Sequence, residues 1–182
     1  MIHWLSELPS ELLLPSGFQL RQAEAGEEAA LGQVLQEAFN EPWPAERVLT
    51  DLLEDPNVPH TFLIEAGGRP VATASYQLKP ELDPDIAWLH WVGVLPSAQG
   101  QALGEIVSHR VLREATSRGN KAVMLSTDDF RFAAIRTYLR LGFEPEHSDE
   151  THPARWVAVL DVLKAKGVGP PAGQFVSEAE SS

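Results

Sequence analysis

Three stretches of the chain carry residue types that could do chemistry. The first is a turn of small residues, Gln99-Gly-Gln-Ala-Leu-Gly104, set between an apolar run ending at Pro96 and a helical pattern. The first turn of a helix has unpaired N–H groups and a partial positive charge, so it binds phosphate. Gly100, Ala102 and Gly104 would let backbone approach an anion closely. Taken alone, such a turn fits a tight connection without a ligand equally well. It has no Gly-Lys-Ser/Thr and matches G-x-G-x-x-G poorly, which argues against both common nucleotide motifs. The other two stretches carry protons. His90 lies in an apolar run, and an imidazole with a pKa of roughly 6.5 suits deprotonation of an amine. Tyr138 follows Arg131 by seven residues, so both fall on one face of a helix. Spacing alone fits a structural histidine and a packing tyrosine as well.

The elements that must position these residues follow from pattern. Trp88 to Leu95 reads as a strand, and alternation puts Trp88, His90 and Val92 on one face. The helix after the turn runs to about Arg118, with Leu103, Val107 and Val111 on one side. Lys121 to Ser126 reads as a second strand leading into the helix of Tyr138. Before this block, Phe18 to Arg21 alternates as a strand, and Glu27 to Phe39 has a helical period. Asn40-Glu-Pro-Trp-Pro44 breaks that helix, and Ala45 to Leu53 reads as a second short one. Thr61–Glu65 and Val71–Tyr76 are strands joined by Ala66-Gly-Gly-Arg69, a hairpin signal. Arg155 to Leu163 is apolar enough to be a last, central strand. We therefore expect an N-terminal arm over 1–17, a domain over 18–165 and a disordered tail over 166–182.

Composition bounds the partners. The chain has 182 residues, 43% of them hydrophobic, which suits one domain with a real core. There is no cysteine, hence no disulfide, thiolate metal site or cysteine nucleophile. The formal net charge of -12 would repel nucleic acid and attract a cationic small molecule. No basic n-region or long apolar run marks a leader or a membrane span, so a cytoplasmic protein without membrane partners is expected. His147 and His152, five residues apart in an acidic loop, do not make a convincing metal site, and none is expected.

Val92-Gly-Val-Leu-Pro96 followed by Gln99-Gly-Gln-Ala-Leu-Gly104 resembles the core of the GNAT N-acetyltransferases. Their strand ends apolar-Ala/Gly-Val-x-Pro and continues as Gln/Arg-x-x-Gly-x-Gly/Ala. The later Arg131-Phe-Ala-Ala-Ile-Arg-Thr-Tyr138 and Leu141-Gly-Phe143 resemble the family's Asn-x-x-Ala-Ile-x-x-Tyr and Gly-Phe, in the same order. Two positions depart: Ala102 stands for a usual glycine, although alanine adopts helical φ/ψ without strain, and Arg131 stands for asparagine.

The resemblance implies an α/β, single-domain GNAT-like fold with a mixed, mainly antiparallel sheet and a bulged central strand flanked by helices. It implies acetyl-CoA as acyl donor and a small-molecule amine, possibly cationic, as acceptor, attacking directly without a covalent enzyme intermediate. Backbone groups at Val92 and Val94 would hold the pantetheine, the Val94 N–H would face the thioester oxygen, and Gly93 would form the bulge. Gln99, Gly100, Gln101, Ala102, Leu103 and Gly104 would take the pyrophosphate, with Arg131 and Ala134 contributing from the later helix. Tyr138 is the candidate general acid. His90 and Glu41 are rival bases, and Trp43, Trp88, Trp91 and Tyr76 would surround the acceptor. A binding protein of the same fold that senses or scaffolds acyl-CoA without turnover is the alternative, and a homodimer is left open.

Overall fold

The computed structural model describes residues 1–7 and 9–167. The expected disorder of the tail concerns mostly residues outside this range. The described chain forms two compact units, Ile2–Ser126 and the residues from Thr127 onward together with Met1.

The larger unit is built on a six-stranded sheet. Its strands are β1 (Ile2–Trp4), β2 (Phe18–Gln22), β3 (His60–Ala66), β4 (Arg69–Leu78), β5 (Ile86–Val94) and β6 (Ala122–Met124). Their order is β1-β6-β5-β4-β3-β2. All neighbours are antiparallel except β5 and β6, which gives the mixed, mainly antiparallel sheet. The β3–β4 hairpin turns through Gly67 and Gly68 at φ 56 and 76, where glycine carries no steric cost. The first residues do more than form an arm, since Ile2–Trp4 pair with Ala122–Met124 at the sheet edge.

Two helices cover opposite faces. Helix α1 (Glu28–Phe39) ends at Asn40, whose left-handed backbone donates its N–H to the Gln36 carbonyl. It buries Leu31, Val34 and Leu35, and Leu31 and Leu35 pack with Trp43, Val48, Leu52, Val58 and Leu63. Helix α2 (Ala45–Val48) runs on as one wide π turn over Leu49–Leu53. After a 3-10 turn at Pro96–Ala98, helix α3 (Leu103–Ser117) buries Ile106, Val107, Val111, Leu112 and Ala115. A Cβ on Gly93 would meet Ala38 and Leu35 of α1, whereas one on Gly104 of α3 would meet Val94. Adjacent strand residues point to opposite sides, so α1 and α3 lie on opposite faces of β5.

The smaller unit holds α4 (Phe132–Arg140) and α5 (His152–Ala165). Helix α5 corrects the expected last strand over Arg155–Leu163. That near-continuous apolar run fits either structure, and periodicity cannot separate a buried strand from a short helix. Pro153 in the first helical turn and burial of Val159 and Leu163, four residues apart, favour the helix that forms.

Candidate active site

The backbone of β5 carries the unusual geometry. Thr73 pairs with Gly93 and Ser75 with His90, so β5 has one residue more than β4 across this interval. The extra residue is accommodated at Trp91, at φ 47. The bulge is therefore at Trp91, not at Gly93 as its lack of a side chain suggested. Gly93 instead makes room for α1, because a Cβ would sit 3.2 Å from the Ala38 Cβ. A large aromatic residue in the left-handed region costs about 1–3 kcal/mol, so the surroundings must hold Trp91 there.

The bulge resets the alternation. His90 pairs with Ser75 and Gly93 with Thr73, and both partners share the α1 face of β4. Trp88 and His90 thus lie on that face, as expected, while Val92 falls on the opposite one. Val92 and Val94 share a further property. Leu95 donates its N–H to Val71, which makes the adjacent Val94–Ala72 pair a non-hydrogen-bonded one. The backbone groups of Val94, and of Val92 two residues earlier, then point away from β4. On that side the ladder with β6 covers only Ile86 to Trp88. Among the described residues of this unit, the β5 edge beyond Trp88 has no strand partner.

That edge leads directly into the small-residue turn. Gly100 has φ 82 and open space where a Cβ would stand. Gln101 reaches back to the Ala98 carbonyl at 3.5 Å. Ala102 precedes α3 with φ 58 and ψ 14. It is thus left-handed, not helical, and the expectation of an unstrained alanine there is corrected. Gly104 has φ in the ordinary range, and its use is the close approach of α3 to Val94. Leu103 is buried and anchors the same helix end. These residues fit an acyl-CoA: a free strand edge suits an amide-containing arm, and an open glycine turn at a helix N-terminus suits a pyrophosphate.

The α1 face holds an aromatic cluster. Trp91 meets Trp43 edge-on with centroids 4.5 Å apart and Phe39 at 5.3 Å. The His90 ring lies 4.8 Å from Trp91. Glu41 accepts the Trp43 indole N–H at 3.0 Å. The two rival bases therefore attach to one cluster, from opposite ends. Burial pushes the His90 imidazole down to about 4, helped by the Lys79 ammonium and opposed by Asp55 and Asp51. Lys79 also stands over the Trp88 ring at 3.7 Å. Tyr76 does not join the cluster. It lies on the α3 face, its hydroxyl donating to Asn120 Oδ1 at 2.7 Å.

In the smaller unit, Arg131, Ala134 and Tyr138 share one face of α4. Arg131 caps the helix and pairs with Asp128 at 2.9 Å. Tyr138 is buried, its ring 5.9 Å from Phe143. Burial pushes its phenol up to about 12, against the pull of the Arg131 charge. Among the described residues no group of three or more His, Asp or Glu side chains could hold a metal ion, and no helix is long and apolar enough to cross a membrane.

The family model of the Acetyltransferase (GNAT) family matches residues 29–143. The chain belongs to the GNAT acetyltransferase family. A mycothiol acetyltransferase of Thermomonospora curvata is 36% identical over 145 residues, 76% of this GNAT chain and 48% of that protein. The chain spans about half, or less, of the length of the curated relatives it matches. A GCN5-related N-acetyltransferase from Sphaerobacter thermophilus superposes with a TM-score of 0.67 at 26% identity, over 80% of this chain and 47% of that one. An aminoglycoside N-acetyltransferase solved with CoA superposes with a TM-score of 0.63 at 18% identity, over 75% and 95%. This last likeness concerns the fold alone.

Sequence reasoning missed two cations. Arg47 and Lys79 lie over Trp43 and Trp88 respectively. No periodic signal announced the first, because Trp43 lies outside the helix that carries Arg47. Nothing local announced the left-handed Trp91, since aromatic residues rarely adopt that region.

Proposed function

We propose that this chain transfers an acetyl group from acetyl-CoA to the amine of a small acceptor by direct attack. The observation that carries the reading is the β5 edge beyond Trp88, without a strand partner among the described residues of its unit, running into the open turn at the start of α3. Val92 and Val94 bind the pantetheine arm through their backbone groups. The Val94 N–H serves as oxyanion donor, a role with a typical effect of about 3 kcal/mol. Gln99, Gly100, Gln101, Ala102 and Leu103 hold the pyrophosphate. Gly104 keeps α3 against β5 and Gly93 keeps α1 against it, and Arg131 and Ala134 of α4 are further cofactor-binding residues. Acetyl-CoA supplies an activated thioester; Tyr138 supplies a proton to the departing sulfur, and His90 or Glu41 accepts one from the amine. The mycothiol acetyltransferase relatives support a small-molecule acceptor.

Calorimetric titration of acetyl-CoA and CoA tests the binding half. Micromolar affinity, lost in Gly104→Val, is expected; no binding at millimolar ligand overturns the reading. Thiol release with a panel of amines tests the chemistry. Tyr138→Phe should lower kcat by about 10²- to 10⁴-fold and leave acetyl-CoA affinity unchanged.

A second reading, an acyl-CoA sensor without turnover, is favoured by one observation. Both proton carriers are tuned away from neutrality, His90 to about 4 and Tyr138 to about 12. Acetyl-CoA binding without thiol release for any amine would select it.

A further inference from the structure

The aromatic cluster on the α1 face already contains a cation. The Arg47 guanidinium carbon stands 3.8 Å from the Trp43 ring centroid and 5.5 Å from that of Trp91. Its Nε faces Asp51 Oδ2 at 3.3 Å, and its Nη1 faces Glu41 Oε1 at 3.4 Å. Nη1 also donates to the Pro42 carbonyl at 3.1 Å. Two indole rings and two carboxylates thus converge on one planar cation.

The occupant is held lightly compared with its surroundings. The Arg47 side chain is 33% exposed, and the Glu41 and Asp51 side chains are 44% and 45% exposed. Trp43, in contrast, is only 3% exposed, and the guanidinium covers one of its faces. If Arg47 swings out, an indole face flanked by two carboxylates opens to solvent. Trp91 can contribute its ring only because the bulge turns it toward α1. Its neighbour His90 brings the other proposed base beside this corner, which leaves Glu41 to the cation.

The geometry points to the Trp43–Trp91 corner, with Glu41 and Asp51, as the subsite for a cationic group on the acceptor, which Arg47 fills until the acceptor displaces it. A guanidinium or ammonium group remote from the attacking nitrogen is the ligand that this chemistry recognises. Cation–π contact and paired carboxylates suit both, and an anionic group would meet two carboxylates. Arg47 lowers apparent affinity by holding part of the population closed, as any intramolecular competitor does. The inference deepens the proposed acyl transfer and rests on it for the acceptor's role, but the subsite itself can be tested without turnover.

The probe is butylguanidinium, with butylurea as its uncharged counterpart of nearly the same shape. Binding is followed through the Trp43 indole N–H resonance. We expect butylguanidinium to shift that resonance and butylurea to leave it. Arg47→Met should tighten butylguanidinium binding by about three- to tenfold. Arg47→Gln is the second variant should methionine perturb the helix, and Glu41→Gln should weaken binding. In turnover, 4-guanidinobutylamine should show a lower KM than butylamine, and Arg47→Met should lower that KM further. Equal binding of urea and guanidinium, or weaker guanidinium binding in both Arg47 variants, overturns the subsite. Failure of acetyl-CoA to bind overturns the transferase reading alone, because the butylguanidinium titration does not involve it.

Discussion

The two faces of the sheet carry nearly the same residue types in different states of connection. On the α1 face, Arg47 lies over Trp43, with Glu41, Asp51 and His90 nearby. On the α3 face, Arg118 lies over Tyr76, with Glu114 and His60 nearby. There, these polar groups are tied to one another. Tyr76 donates to Asn120, His60 Nδ1 lies 2.9 Å from Gln22 Oε1, and its Nε2 meets both Glu114 and Arg118. Glu114 takes Arg118 at 2.7 Å and Arg110 at 3.0 Å. Burial raises this carboxyl, but the two arginines outweigh it and hold it below the usual range. The α1 face has ring contacts, a strained bulge and the more exposed ion pairs of Arg47 where the α3 face has this more buried network. Composition therefore does not separate a binding corner from a structural brace, whereas the connections do.

The largest test breaks the α1 face outright. Gly32 lies where α1 crosses the chain at Trp43, and a Cβ there would run into the Trp43 carbonyl oxygen. Backbone cannot yield as a side-chain tip can. Gly32→Ala should cost about 2–4 kcal/mol of stability, read by denaturant unfolding, and should abolish the Arg47–Trp43 contact. A loss under about 1 kcal/mol would mean that α1 can shift freely, and the corner would not be a fixed structure.

The two histidines sharpen the contrast through pH. The folded His90 imidazole takes up its proton at about 4, against roughly 6.5 in the unfolded chain. Between these values the unfolded chain binds more protons, so stability rises with pH. This contribution is fully present above about pH 6.5 and is lost as pH falls toward 4. It amounts to about 2 kcal/mol once solvent screening is allowed for. His60 is also lowered by burial, but the Glu114 carboxylate opposes the shift. His90→Gln should flatten the stability profile between pH 4 and 6.5 more than His60→Gln does. The reverse order would place the more strained histidine on the braced face.

A smaller effect separates brace from corner directly. Tyr76→Phe leaves Asn120 Oδ1 without its donor and should cost about 1–2 kcal/mol. Arg47→Met removes exposed ion pairs and should change stability by less than about 1 kcal/mol. Thermal unfolding of both variants under one buffer checks the difference. Equal losses would make Arg47 a structural residue like those of the α3 face.

Much of this was legible in the sequence for a physical reason. Helices α1 and α3 and the β3–β4 hairpin announce themselves because period and glycine placement are local signals. The small-residue turn was legible too, and so was the mixed sheet through the family resemblance. The last helix was not, because an apolar run such as Arg155–Leu163 satisfies either a buried strand or a helix, and only tertiary burial decides. Nor was the placement of Trp91. Its left-handed backbone depends on the register with β4 and on rings arriving from α1 and the Trp43 loop, all distant in sequence. The resemblance implies the bulge at Gly93, yet the missing side chain there serves the crossing helix.

Trp91 and Ala102 are both left-handed residues with side chains, at φ 47 and 58, one before the strand's end and one before α3. Their surroundings differ. Trp91 is held by rings on two sides, so its strain is offset by aromatic packing. The methyl of Ala102 gains little that could offset the same conformation, and a left-handed alanine costs about 1–2 kcal/mol relative to glycine. Ala102→Gly should therefore stabilise the chain, by about 0.5–1 kcal/mol after the extra unfolded-state entropy of glycine is counted. Trp91→Gly removes comparable strain but should destabilise, because the lost ring contacts are larger. Unfolding midpoints of the two variants, measured side by side, would show opposite signs. If both rose, the ring packing around Trp91 would not be what holds the bulge, and the corner over β5 would lose its structural basis.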